Sequence, residues 1–441
     1  MEDIKKFEQI RLLNSQMNMF NKISIFLFTL LPISLILGNF AINLNILIID
    51  ILTLYLCFIK KNWDWTKKKF FKLLIIFYIF LIFNSLYSYY FSTHATNSGL
   101  IRSLTFIKFI IFAYSFKILV TDPRALNKIM IYWSCIIAIV IFDIFFESIF
   151  GQNILGNESP DKTRIISFFK DETVVGSLVL CFAYIITTYY LNKNLNVNYK
   201  VLFNFLLLLI PITILITGER SNFIKSLIIF SLILFFIDQN KLILKKRNFL
   251  ILIGISFLSL MYLNQNIYNK QTEFFKRFIE LGKDDDFIEG NNFYSKFQNI
   301  KYFAHYDVSL KIFKKYPLFG VANKNFRHEC HNKEYFDDKI RLSNQRCNTH
   351  PHQIHFELLS EHGIIGYIFF LIMMFAGLKK IYNNYVETRS IFYLSSLIYL
   401  TIFLIPILPS GSFFSTFNGA LFWVIFSIGN IKKKFLLDKT I

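Results

Sequence analysis

Residues 200–237 read KVLFNFLLLLIPITILITGERSNFIKSLIIFSLILFFI. Two apolar runs, each about as long as a helix needs to cross roughly 30 Å of hydrocarbon, are interrupted only at TGERSN. A water-soluble core has no use for two such runs back to back, so the stretch points to helices in lipid. The interruption also sets Arg220 beside the membrane, where a guanidinium is expensive unless it meets a partner or a wet cavity.

The pattern continues in both directions. Hydrophobic residues make up 54% of the chain and phenylalanine occurs 54 times, with a mean hydropathy of +0.45, more than a soluble interior absorbs. Apolar runs of about 17 to 22 residues fall near 21–40, 42–59, 70–88, 101–120, 129–149, 172–190, 200–217, 222–237, 248–264, 356–378, 391–409 and 413–430. The expected fold is an all-α polytopic membrane protein of about 12 transmembrane helices, with both termini on one side. Residues 1–264 hold the first nine spans, 265–355 a large loop, and 356–441 the last three spans and a tail. No small-residue cleavage pattern follows the first run, so it is expected to stay in place.

Orientation follows from Lys and Arg, which accumulate near span ends on the cytoplasmic side. MEDIKKFEQIR, KKNWDWTKKK, NKNLNVNYK, DQNKLILKKRN, KKIYNNYVETR and IKKKFLLDK all fall on one side of this arrangement. The opposite loops, such as YYFSTHATNSG and IPILPSGSFF, have almost none. Much of the net charge of +19 is therefore topology, and no nucleic-acid partner is expected.

The loop over 265–355 lies outside the cytoplasm on this reading, and long ordered loops are disproportionately functional. FFKRFIE, NNFYSKFQNIKYFAHYDVSLKIFKKY and KEYFDDKIR read as short amphipathic helices that cap the mouth of the bundle. Cys57, Cys135 and Cys181 fall inside spans as small apolar fillers. Cys330 and Cys347, both in the loop, can pair in an oxidising compartment, remain free thiols, or join His331 and His350 as zinc ligands.

Three groups of polar residues sit against the membrane. At Arg220, Gly218 permits a tight reversal, Ser221 or Asn222 can cap the next helix, and the helix N-terminus suits phosphate oxygens. The bland alternative is an arginine reaching to lipid headgroups. Arg164 precedes an apolar patch, with Asp171 and Glu172 expected to open the following helix; a surface salt bridge would also account for Arg164.

The third group is CNTHPHQIHFELLSEHG, residues 347–363, which holds half of the chain's eight histidines. Thr349 is expected to cap a helix starting at His350, with His352, His355 and His362 near one face and Gln353, Glu357 and Glu361 on another. No HExxH pair is present, so neither a metal nor another cofactor is expected. A near-neutral histidine in a cavity lined by arginines suits a general base acting on an acceptor hydroxyl. Fixed cations would meet the charge on a sugar's departing diphosphate, although each histidine is also open to being merely satisfied at the interface.

RIISFFKDETVVGS, LLLIPITILITGERSNFI, KIFKKYPLFGVANKNFR and CNTHPHQIHFELLSEHGIIGYIFF together resemble the O-antigen ligase and O-antigen polymerase superfamily of bacterial inner-membrane glycosyltransferases. The resemblance covers roughly residues 155–430. It implies transfer of a glycan from an undecaprenyl-diphosphate carrier at the periplasmic face, to lipid A-core in a ligase or to a second carrier-linked glycan in a polymerase. By the same resemblance His352 and Arg220 are the catalytic pair, and Arg164, Arg327, His305 and Gln353 are substrate-binding candidates. Relatives often have asparagine where this chain has Gln353, which keeps the amide. A transporter with a midplane site would be the reading from another class, but the mid-span regions hold almost no acidic residues.

Overall fold

The computed structural model describes residues 19–91, 97–170, 172–263, 301–338, 340, 342–406 and 408–437. Every regular element among them is helical, apart from an isolated bridge between Gln152 and Glu158. α1 (Met19–Thr29) and α2 (Leu31–Leu37) meet at a 44° bend, where Pro32 lacks the amide that would continue the ladder. α3 (Asn39–Ile59), α4 (Lys69–Phe91), α5 (Asn97–Leu104), α6 (Ile107–Leu119) and α7 (Pro123–Phe150) follow. Then come α8 (Val175–Leu191), α9 (Val197–Ile216), α10 (Arg220–Phe236) and α11 (Lys246–Leu263). α12 (Lys301–Lys315), α13 (Ile354–Thr388), α14 (Ile391–Phe403) and α15 (Thr416–Ile428) complete the longer helices, and single α-helical turns occur at Phe326–Glu329 and Lys434–Leu437.

Each apolar segment of the sequence overlaps one of these helices or an adjacent pair. By length and apolarity, however, only six described helices can cross a membrane, or seven if α1 and α2 form one bent span, where the sequence predicted about twelve. Three of the remaining apolar helices are of another kind. α14 and α15 have 13 residues each and so reach only about 20 Å at 1.5 Å per residue. Most of their side chains, like nearly all of those on α8, are buried against neighbouring helices, so they need not match the lipid thickness. The outer helices instead present bare apolar side chains: Phe40 is 81% exposed, Ile149 75% and Phe375 70%. Such exposure is costly in water and neutral in hydrocarbon, so the chain is a multi-pass membrane protein.

α13 is the element that positions everything below. Gly363 breaks it at φ 60° and ψ −168°, and the backbone of residues 317–321 is laid into the break. Ile364 N–H donates to Pro317 O at 2.8 Å, and Val321 N–H to Ser360 O at 3.0 Å. The two chains meet glycine to glycine. A Cβ on Gly363 would stand 2.3 Å from Leu318 O, and one on Gly320 2.5 Å from the carbonyl carbon of Glu361. α12 packs on α13, and Val308, Ile312, Val321, Phe326 and Tyr335 form a small core separate from the membrane core.

Two local expectations change. The KEYFDDKIR segment contains a single 3-10 turn, Lys333–Tyr335, because Phe336 is already extended (φ −69°, ψ 137°) and so short an element cannot support an α-helix. α12 occupies part of the longer amphipathic stretch, whereas FFKRFIE lies outside the described residues. Thr349 does not cap α13. That helix starts at Ile354, since His352 takes φ 59° and Gln353 supplies the cap.

Candidate active site

His352 stands one residue ahead of the cap, in the left-handed region that few non-glycine residues adopt. Its conformation is held from both sides. Ser410 N–H donates to His352 O at 2.8 Å, and Ile354 N–H donates to Ser410 Oγ at 3.1 Å. Gln353 is buried, and its Oε1 accepts from His355 N–H at 2.7 Å and Phe356 N–H at 3.2 Å, while Nε2 donates to Ile405 O at 3.2 Å. Both ends of that amide therefore serve the fold.

The Arg220 turn is built around a buried carboxylate. Glu219 Oε1 accepts from Gly176 N–H at 2.5 Å, and its Oε2 accepts from Asn222 Nδ2 at 2.5 Å. Burial pushes the Glu219 carboxyl up to about 7, against the pull of the Gly176 amide, Asn222, Arg164 and Ser177. Neither Ser221 nor Asn222 caps α10. Ser221 Oγ instead donates to Pro409 O at 2.8 Å, and Lys225 Nζ donates to the same carbonyl at 2.7 Å. Arg220 itself is half-buried at the first position of α10, where the helix dipole favours an anion.

The two segments singled out in the sequence therefore meet on one loop. Pro409 receives the Arg220 helix and Ser410 receives His352, and the helix stop that frees this loop comes from Pro406 and Pro409 after α14. A helix predicted to run to residue 409 ends at Phe403.

Around His352 the rings of His350, His305 and Tyr302 lie with centroids at 4.3, 5.4 and 5.5 Å. His305 Nδ1 is 2.9 Å from Arg346 O. Arg327 Nη2 donates to Thr349 O at 3.3 Å. Burial first, and then the charges of Lys324, His305 and Arg327, push the His350 imidazole down to about 3, so it is neutral at physiological pH. The Cys330–Cys347 disulfide, with its Cα atoms 5.4 Å apart, ties the Arg327 turn to the base of the histidine segment. The two sulfurs and His331 would otherwise offer three metal donors within 4.8 Å, but sulfurs bonded to each other cannot ligate as thiolates.

Sequence reasoning missed several residues. Lys324 is buried at φ 64°; its Nζ donates to Ser412 Oγ at 2.6 Å and pairs with Glu357 Oε1 at 3.7 Å. Glu357 also accepts from Ser412 Oγ and from Phe413 N–H. Arg102, which donates to Thr416 Oγ1 at 2.9 Å, feels Arg327 as a like charge. The asparagines flanking Lys324 were the available signal, since ANKN is a turn composition inside an otherwise apolar stretch.

Of the residues predicted from sequence, His352, His305 and Arg327 gather in one cluster, while the helix that Arg220 opens is tied to the same 409–410 loop by Ser221 and Lys225. Arg164 is turned elsewhere, donating to Thr173 Oγ1 at 2.9 Å and pairing with Asp161 at 3.7 Å behind the Glu219 turn. His355 is satisfied by Tyr367 Oη and Leu404 O at 2.9 and 2.7 Å, and His362 is fully buried against Asn84, Phe80 and Phe414.

Residues 205–371 match a protein-family model described as O-antigen ligase. The matched range contains both Arg220 and His352. No curated protein matches the chain.

Proposed function

From an O-antigen ligase match over residues 205–371, which supports membership of the O-antigen ligase and polymerase superfamily, we propose that this chain is a ligase. In this reading it transfers a glycan from undecaprenyl diphosphate to a hydroxyl of lipid A-core, at the periplasmic face of the bacterial inner membrane. The observation that carries it is the 409–410 loop, which takes hydrogen bonds from the Arg220 helix at Pro409 and gives one to His352 at Ser410.

His352 takes the proton of the acceptor hydroxyl. The freed oxygen pair attacks the anomeric carbon, the bond from that carbon to the diphosphate breaks, and its electron pair leaves with the carrier. A single displacement of this kind inverts the anomeric configuration. Arg220 meets the charge growing on the diphosphate, helped by the N-terminus of α10, and Arg327 supports it from the loop side. His305 and Tyr302 flank the His352 ring. Gln353 and Arg164 position the base and the Arg220 turn from within the protein. The carrier brings its own activation, so the scheme calls for no nucleotide.

The test uses purified protein in lipid, an undecaprenyl-diphosphate glycan, and lipid A-core in one of two parallel reactions. One glycan joined to lipid A-core, with the anomeric centre inverted, is the expected product. Lengthening of carrier-linked chains without lipid A-core would make the chain a polymerase instead, and no transfer in either reaction would remove the glycosyltransferase reading.

A further inference from the structure

At the far end of α4 and α13 from His352 lies a cavity of about 870 Å³. Its lining on α13 starts at Phe375, 23 positions along the chain from His352, on the order of 35 Å at about 1.5 Å per helical residue. Eight lysines line it, among them Lys68, Lys117, Lys379, Lys380 and Lys432, against two carboxylates, Asp64 and Glu387. Neither carboxylate is idle: Glu387 is engaged by Lys433 and Asp64 by Lys67. The remaining ammonium groups face one another. Lys380 feels Lys117 and Lys68 as like charges, and Lys432 feels Lys60 and Lys117.

The preference of lysine for one side of a membrane explains the sign of this charge but not its convergence on a single hollow. Lys117, Lys380 and Lys432 are half-buried, and half-buried like charges around one cavity cost free energy unless an anion joins them. The floor is aromatic and apolar, with Trp65, Phe70 and Tyr114, and Lys380 Nζ stands 4.9 Å over the Tyr114 ring. One wall includes Phe375, which is open to the lipid side. Lysines above an apolar floor, at the end of a helix bundle and beside lipid, match a headgroup that carries phosphate. We propose that this cavity binds a phosphate-bearing anion, delivered either as an anionic phospholipid headgroup or as a free phosphate compound.

The experiment places the full chain in bilayer discs of zwitterionic phosphatidylcholine. One arm adds phosphatidylglycerol and cardiolipin and reads retained lipid by native mass spectrometry; the other adds inorganic pyrophosphate and reads the thermal midpoint. Anionic lipid retained about tenfold over phosphatidylcholine identifies the lipid source, and stabilisation by pyrophosphate alone identifies the free one. The K117Q/K380Q pair should lose the effect and K117R/K380R should keep it, while K128Q/K162Q, outside the cavity, should behave as wild type. Equal retention of all lipids with no pyrophosphate effect overturns the proposal, as does full retention by K117Q/K380Q. If that pair fails to fold, the two wild-type arms still decide.

Discussion

His352 occupies a backbone conformation that most side chains avoid, just before the cap of α13. Such positions persist only where the surroundings hold them, here through Ser410 and Gln353. Asparagine tolerates the left-handed region better than alanine and cannot act as a base at neutral pH. His352→Asn is therefore expected to lower turnover by about a hundredfold or more while leaving the thermal midpoint within a few degrees of wild type. A folded variant with near-normal turnover would take the base role away from His352. Glu219 makes a separate prediction. Its carboxyl is held up to about 7 against an ordinary 4.5, so the folded protein keeps that proton longer than the unfolded chain. The associated stability is fully present below about pH 4.5 and lost as pH rises toward 7, on the order of 3 kcal/mol in all. The thermal midpoint should fall between pH 5 and 7 in wild type and fall less in Glu219→Gln; identical slopes would contradict the burial argument.

At the scale of elements, the break in α13 is a splice rather than a defect, because residues 317–321 take up the hydrogen bonds the helix gives up. Gly363→Ala combines a positive φ with a Cβ 2.3 Å from Leu318 O, and is expected to cost at least about 2 kcal/mol. A thermal melt unchanged by that substitution would show that the backbones are not packed this closely. The disulfide closes a loop with a sequence separation of 17, for which chain entropy suggests about 3 kcal/mol. Cys330→Ser should make the segment from α12 to Cys347 sensitive to limited proteolysis while the membrane helices stay intact, and equal resistance would count against a stabilising bond. The pairing of Cys330 with Cys347 was one of the readings open beforehand, but the splice was not legible. The apolar runs announced the helices, but periodicity says nothing about a glycine that receives another segment's backbone, and SEHGIIG reads as plain helix. The histidines were visible as a cluster, yet only the αL turn at His352 separates that ring from His355, which is satisfied by Tyr367 and Leu404, and from His362, which is buried with Nδ1 on Asn84.

For the whole molecule, composition sufficed to announce a helical membrane protein, because no other solvent accepts so many exposed phenylalanines. It did not separate helices facing lipid from those enclosed by other helices, and α8, α14 and α15 belong to the enclosed kind. Lys324 escaped notice, and Glu357 was read only as part of a polar helix face, because a buried ion pair is made by residues far apart in sequence. The basic segments predict orientation. In a background with Cys135 replaced, Lys162→Cys should react with an impermeant maleimide in intact cells and Asn194→Cys only after permeabilisation; the reverse would invert the molecule.

The central claim is that His352 and Arg220, whose segments are tied to one loop by Ser410 on one side and by Ser221 and Lys225 on the other, act on one displacement. The measurement that tests it most directly is glycan transfer from undecaprenyl diphosphate by His352→Asn, Arg220→Lys and the double variant, each verified as folded. Lysine lacks the two-pronged grip of a guanidinium, so both single variants should be slow. Groups that serve one step are not additive, so the double variant should be little slower than the worse single one. Losses that multiply, or an Arg220→Lys enzyme as fast as wild type, would contradict a shared site.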